Sequence, residues 1–263
     1  MKCVQSDSKY FTVVYEDNHL LVVNKRGGVL VQKDDNDEPS LVDFTKEYLK
    51  EKYNKPGNVF CEPAHRIDRP VSGLVVFCKT SKALDRMNEA FSKREIEKRY
   101  WAISVGRPEQ PAGYLVHWIK KESNKNKVSV YHYERNDARK SELMYKVVGN
   151  VGNHYLIEVK LITGRHHQIR AQLSFMGSPI LGDIKYNAPE PAFGHFIFLH
   201  ARYISFIHPV SKTPVAFEAE IPDHRIWQLF VKQGKELADF SDLMTLKQSL
   251  SQPHNNKGLY WIP

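Results

Sequence analysis

The chain lacks any run of about 18 consecutive apolar residues, so no segment reads as a membrane-spanning helix. Its opening, MKCVQSDSKY, lacks the charged-then-apolar pattern of a secretory signal. Cysteine is scarce. Cys3, Cys61 and Cys78 are odd in number and far apart, and no C-x-x-C pair occurs, which leaves neither a disulfide framework nor a zinc ribbon to read. A reducing cytoplasm is the plain expectation. There is also no internal repeat and no long low-complexity linker.

What is present is a chain of 263 residues, 41% apolar, enough for a sizeable core and too apolar for a disordered protein. Lysine and arginine number 38 against 30 acids, a net charge of +8 that favours polyanionic partners. The basic residues are spread along the chain, so composition alone argues weakly.

Phe11–Tyr15 and Leu20–Asn24 are β-rich runs joined by Glu16-Asp17-Asn18-His19, the pattern of a hairpin. Ser40 is placed to cap a helix whose buried stripe is Leu41, Phe44, Tyr48 and Leu49, with Asp43 in its first turn. Gly73–Cys78 (GLVVFC) is a short, fully apolar run and reads as a buried strand. Ser81 is placed to cap a second helix carrying Leu84, Met87, Ala90 and Phe91. Strands are expected at Tyr100–Val105 and near 114–119, 127–133, 142–148, 154–161, 196–207 and 215–220, with a turn at Gly149–Asn153. A helix is expected from about His166 to Met176, burying Ile169, Leu173 and Met176 and stopped by Gly177. Strands outnumber helices without strict alternation. The expected fold is therefore α+β, with a mixed, mainly antiparallel sheet and flanking helices. One domain is expected over 1–228, with a helical appendage and tail over 229–263.

Three segments carry chemistry. In His65-Arg66-Ile67-Asp68-Arg69-Pro70-Val71-Ser72-Gly73, two arginines flank a carboxylate, and Pro70 and Gly73 suggest a tight bend. Alone, this is more often a surface ion pair. Thr163-Gly164-Arg165-His166-His167-Gln168-Ile169-Arg170 packs two arginines and two histidines into a helix opening, a good anion site. On a helix, His166 and Arg170 would share a face. Paired histidines also suggest a metal, but no H-E-x-x-H or second ligand cluster accompanies them, so that reading is the weaker. Lys98-Arg99-Tyr100-Trp101-Ala102 sets basic residues beside aromatics that, if exposed, could stack a base. The plainer reading is a strand with one aromatic in the core.

Taken in order, these segments resemble the RluA-type family of RNA pseudouridine synthases. HRIDRPVSGLVVFCKT is similar to the family's HRLD segment with its following turn and apolar strand. GRHHQIRAQLSFMGSPILGDIKY resembles its GR-x-HQIR and G-x-PI-x-GD-x-x-Y motif. VVNKRGGVLV, KRYWAISVG and FLHA at 198–201 match its early, middle and late strands. The resemblance runs from about Phe11 to Pro222. Three departures stand out: Arg26 where a proline is usual, His166 where threonine or serine is common, and Val71 in the turn after the aspartate. They bear on loop shape and RNA choice. About ten residues precede the first strand, so the S4-type RNA-binding module of many relatives is not expected in this sequence.

The resemblance implies that Asp68 is the catalytic carboxylate and that Arg66 fills the space left by a flipped uridine. It implies that Tyr100 stacks on the flipped base, that Arg170 pairs with the aspartate, and that Leu199 packs beside the base. Arg69, Lys98, Arg165 and His167 complete the expected RNA-binding set. The reaction would break the uridine N-glycosidic bond and rejoin the base through C5. It needs no redox step or group donor, so no cofactor and no metal are expected. The partner is structured RNA, ribosomal or transfer, with no membrane and no obligate protein partner. Asp68 could attack the sugar, attack the ring, or act as a base giving a glycal. Two other readings stay open. One is a non-catalytic RNA-binding protein of the same fold. The other is a nucleosidase using two carboxylates, with Asp183 as the second.

Overall fold

The expected hairpins and apolar runs fold as strands in their expected order. The structure is a computed structural model that describes residues 8–34, 37–123, 126–192, 194–231, 236–250 and 259–261. In chain order its elements are β1 (Phe11–Glu16), β2 (Leu20–Lys25), α1 (Leu41–Lys52), β3 (Glu62–Pro63), β4 (Ser72–Cys78), α2 (Ser81–Ser92), β5 (Glu97–Val105), β6 (Ala112–Lys121), β7 (Val128–Tyr131), β8 (Arg139–Val151) and β9 (His154–Leu161). There follow α3 (Gln168–Phe175), a 3-10 turn (Ile184–Tyr186), β10 (Leu199–Ile207), β11 (Pro214–Glu218), α4 (Arg225–Gln228), α5 (Ser241–Leu250) and β12 (Leu259–Trp261). The described residues form two compact units. One runs up to Lys98 and adds Gly194–Phe196 and His200–Pro222; the other takes Arg99 to Ala192, Ile197–Leu199 and the chain from Asp223 on.

In the first unit β2 pairs antiparallel with β1 and β4, β3 with β4, and β11 with β10. The exception is parallel: β4 meets β10 at Ser72 and Gly73, opposite His200 and Ala201. Every residue of β4 is buried, which explains its unbroken apolar run. Its Gly73 does not make the expected bend. It lies in the strand at φ 113°, and a Cβ there would sit 2.3 Å from the Ala201 carbonyl oxygen. Glycine is therefore required by the close approach of β4 to β10. Leu20, Val22, Leu74 and Val76 of the sheet pack with Ala83 and Met87 of α2 and with Ile204 and Phe206. Cys61 and Cys78 are free and buried; Cys3 lies outside the described residues.

Helix α1 starts as expected. Ser40 and Asp43 form a capping box, Leu41 and Leu49 are buried, and Phe44 stacks on Tyr10 at 3.7 Å. Helix α2 differs by one residue. Thr80, not Ser81, is its cap, accepting from the Ala83 amide at 3.3 Å.

In the second unit β5, β9, β8 and β6 pair antiparallel in that order, with β7 and β12 both on β6. Strand β8 runs through the expected turn at 149–151, with a register shift between Val147 and Gly149. Phe240, just before α5, and Leu243 of α5 pack with Tyr114, Val116 and Met144. Together these arrangements are α+β and mainly antiparallel, as expected. No helix among the described residues is long and apolar enough to cross a membrane.

Glu16, at the end of β1, is the polar anchor of the first unit. Lys52 (2.8 Å), Lys79 (2.7 Å), Tyr53 (2.7 Å) and Tyr48 (2.9 Å) all donate to its carboxylate. Burial works to raise its pKa, but the bonds from Lys52, Lys79 and Tyr53 outweigh it and hold the pKa at about 2. A depressed carboxylate pKa gives stability that is complete above the ordinary value and is lost as pH falls towards the folded one. Glu16→Gln is therefore expected to cost about 3 kcal/mol near neutrality. That cost should shrink as pH falls from 5 to 3, as read by urea unfolding of both proteins. A cost independent of pH would contradict this account.

Candidate active site

The aspartate of the first motif sits on the loop between β3 and β4, held from several sides. The Val71 amide donates to the Asp68 carbonyl at 3.0 Å, closing a turn over Arg69 and Pro70. The Gly28 amide donates to the Arg69 carbonyl at 2.8 Å, and Arg69 Nε returns a bond to the Gly28 carbonyl at 3.0 Å. The outer guanidinium nitrogen of Arg69 pairs with Glu38 at 2.7 Å. Gly27 lets this loop close, since a Cβ there would lie 2.6 Å from Phe196 Cβ. Arg26, in place of the family's proline, donates its amide to the Tyr10 carbonyl at 2.9 Å, a bond proline could not make.

Beneath the loop lies a residue the sequence reading passed over. Lys25 is 1% exposed, and its Nζ donates to the carbonyls of Val29 (2.8 Å), Arg26 (3.0 Å) and Arg69 (3.1 Å). Burial pulls its pKa down to about 7; the Asp68 carboxylate works against that shift and Arg69 works with it. Three acceptors match the three N–H bonds of an ammonium, so the charged form fits this cradle. The weak sequence signal was a lysine ending a strand that opens with four buried apolar residues. His65 is also fixed. Its Nε2 accepts from the Val76 amide at 3.2 Å, and burial, then the Lys98 charge, pulls its pKa to about 3. Lys98 is half-buried, its ammonium 5.4 Å from the centre of the Phe91 ring. Arg66 is exposed, 3.4 Å from Gln32 Oε1.

In the second unit the paired-histidine motif opens α3, but not as expected. The helix begins at Gln168, and His167 is its cap in the left-handed region at φ 52°. His166 lies before the helix and so does not share a helical face with Arg170. Helix α3 is also buried beyond a single stripe: Gln168, Ile169, Arg170, Ala171, Gln172 and Leu173 are all buried. Gln172 sets its amide nitrogen 2.9 Å from His117 Nδ1. Gln168 accepts from Thr163 Oγ1 and the Arg165 amide and donates to the Glu142 carbonyl. Gly177, at φ 84°, stops the helix as expected.

Arg170 is 4% exposed and grips Asp183 with two bonds, Nε to Oδ2 at 2.7 Å and a terminal nitrogen to Oδ1 at 2.8 Å. Asp183, read from sequence as a turn residue or a second catalytic carboxylate, is 1% exposed and committed to this pair. The two-carboxylate reading loses its candidate. His167 Nδ1 lies 2.8 Å from the Tyr186 hydroxyl, and His166 Nε2 lies 3.0 Å from Asn126 Oδ1. Burial first, then Arg170 and His166, pulls the His167 pKa to about 2. Arg165 is exposed, its Nε on the Lys140 carbonyl at 3.2 Å.

Tyr100 and Trp101 on β5 are both buried, at 8% and 3% exposure, so the exposed-aromatic reading of this strand fails and two aromatics, not one, are buried. Trp101 donates Nε1 to Glu158 at 3.2 Å, a carboxylate that Arg99 also binds at 3.1 Å. Tyr100 alternates onto the other face. Leu199 is buried at the start of β10.

Residues 19–175 match the family model described as RNA pseudouridylate synthase. Over 80% of its length the chain is 32% identical to the dual-specificity RNA pseudouridine synthase RluA of Haemophilus influenzae, covering 93% of that protein. Over 80% it is 33% identical to ribosomal large subunit pseudouridine synthase D of Zymomonas mobilis, covering 69% of it. The fold is similar to human RNA pseudouridylate synthase domain containing 4, with a TM-score of 0.69 and 22% identity over 86% of this chain and 94% of that one.

Lys25→Met keeps the bulk of the side chain and removes every donor. The carbonyls of Arg26 and Val29 then lose a buried partner, at about 1–3 kcal/mol each. A stability loss of about 2–3 kcal/mol is expected in urea unfolding. A larger proportional loss in RNA modification rate than in RNA affinity is expected as the Asp68 loop loosens. Unchanged stability and rate would refute the role of this cradle.

Proposed function

Since the chain belongs to the RNA pseudouridylate synthase family and is an RNA pseudouridine synthase, we propose that it isomerises specific uridines of folded ribosomal or transfer RNA, with Asp68 as the catalytic carboxylate. The observation that carries this reading is the family's motifs in their order along this chain, with Asp68 on a loop held by Lys25, Gly28 and Val71. The reaction breaks the bond from N1 to the ribose carbon and forms one from C5 to that carbon. The C5 proton is lost and N1 gains one, so composition is unchanged. Extruding the uridine from its stack costs a few kcal/mol. Arg66, exposed two residues before Asp68, fits the role of filling the vacated space. Tyr100 and Arg170 take the roles that the family resemblance gives them, base stacking and support of the carboxylate. Arg69, Lys98, Arg165, His167 and Leu199 complete the RNA-contacting set. Arg69 also closes its own loop, so its contribution is part structural. The reading supports action in the cytoplasm, where these RNAs are available.

The test is pseudouridine mapping in total RNA from cells with the gene, without it, and with Asp68→Asn. The deletion and the variant are expected to lose the same sites, with RNA affinity and unfolding midpoint near wild type for the variant. An active Asp68→Asn enzyme would overturn the role of Asp68. RNA that is bound but never modified by the wild-type protein would make it a binding module. Tyr100→Phe keeps the stacking face and loses the hydroxyl; product formation about tenfold slower at unchanged RNA affinity is expected, as for one lost hydrogen bond. A wild-type rate would leave Tyr100 as a stacking platform only.

A further inference from the structure

Strand β2 covers one edge of β4 from Gly73 to Cys78. The other edge is shared: β3 pairs there with Phe77 and Cys78, and β10 with Ser72 and Gly73. Continued in register, β3 would set Ile67 against Gly73 and Asp68 against Ser72, where β10 already lies. The chain must therefore leave this edge before Ile67, and what leaves is the loop that carries Asp68.

The point of departure is marked by one exchanged hydrogen bond. The Ala64 amide still donates to the Val76 carbonyl at 2.9 Å, as the ladder requires. In a regular antiparallel pair of this kind both residues exchange bonds, so the Val76 amide would return to the Ala64 carbonyl. It goes instead to the imidazole of the next residue, His65 Nε2, at 3.2 Å. Val76 is 0% exposed, so water is no substitute, and a buried amide without an acceptor is costly. The ring supplies the acceptor while the backbone turns away.

A backbone amide can only donate, so Nε2 carries a lone pair, and a neutral imidazole then has its proton on Nδ1. The surroundings keep it neutral. The Phe91 ring of α2 lies 5.1 Å from the imidazole, and Lys98 Nζ lies 5.4 Å from the centre of that phenyl ring. Burial first, then the Lys98 charge, disfavours protonation.

We propose that His65 is a positioning residue for Asp68: as a neutral imidazole protonated at Nδ1 it stands in for the Ala64 carbonyl at the Val76 amide and fixes where the catalytic loop leaves β4. Its catalytic meaning rests on the proposed function. Lys25 and the Gly28 amide hold the far end of the loop at the Arg69 carbonyl, and His65 holds the near end. A reacting group displaced by about 1 Å can lose a large part of its rate, so a shifted departure point acts on turnover more than on RNA affinity.

The test begins with nitrogen-15 NMR of the His65 ring in the RNA-free protein. A proton on Nδ1, a bare Nε2 and no titration between pH 5 and 9 are expected. A proton on Nε2, or titration in that range, overturns the assignment whether or not the enzyme modifies RNA. Failure of the functional reading would instead appear as no pseudouridine made by the wild-type protein. Variants, assayed well below their unfolding midpoints, give the second arm. His65→Leu removes the acceptor and is expected to lower kcat about tenfold or more, with KM within about twofold. His65→Gln places an oxygen near the ε position and should recover more of kcat than His65→Asn, whose oxygen lies near the δ position. Wild-type kcat in folded His65→Leu would reduce His65 to a stability residue and sink the proposal, as would an asparagine variant better than the glutamine one.

Discussion

Arg170 and Asp183 meet through two bonds of 2.7 and 2.8 Å while almost wholly removed from water, and the geometry around α3 follows from that meeting. Taking two charges out of water is costly, and the attraction repays it only when both ends are well satisfied. Removing one partner would strand the other, at about 3–5 kcal/mol. The pair therefore forces the turn that carries Asp183 to stay beside α3. It also seats Tyr186 under the guanidinium, which in turn holds His167. A helix buried on nearly every side, with Gln168 and Gln172 in its interior face, makes sense on this basis. Its polar groups orient the turn at Thr163–Arg165 and the strands beneath.

The first unit solves a related problem with one charge. Lys25 has no carboxylate bonded to it among its three contacts; it is satisfied by carbonyls of the very loops that frame Asp68. The lysine is thereby spent on backbone shape, and Asp68's own charge helps to keep the ammonium protonated. Gly27 and Gly73 complete the frame by removing Cβ atoms where Phe196 and the Ala201 backbone come closest. Catalytic geometry held by buried backbone contacts is rigid before substrate arrives, which is the arrangement a positioned carboxylate needs.

The fold was legible where periodicity was strong. The β1–β2 hairpin, the buried run of β4, the capping box of α1 and the Gly177 stop were all readable from residue type and spacing. The failures were tertiary. A stripe of Ile169, Leu173 and Met176 predicted a one-sided helix, but Arg170 and Gln172 are buried as well, Arg170 on Asp183 and Gln172 with its amide nitrogen on His117. His166 and His167 looked helical, yet His167 adopts φ 52° to aim its ring at Tyr186. Gly73 read as a bend because spacing does not reveal how closely two strands approach. At the site, motif order pointed to Asp68, Arg66, Tyr100 and Arg170. Lys25 and His65 were missed as functional residues, since a lysine at a strand end and a histidine before a turn carry no local sign of what they hold.

The central claim is that this chain moves a uracil from N1 to C5 without releasing it. The most direct measurement uses a folded RNA transcript carrying tritium at C5 of uridine, incubated with the wild-type protein. Tritium should pass to water in a one-to-one ratio with pseudouridine formed, with no free uracil and an unbroken RNA strand. Free uracil in place of pseudouridine, or bound RNA with no tritium released, would contradict the account.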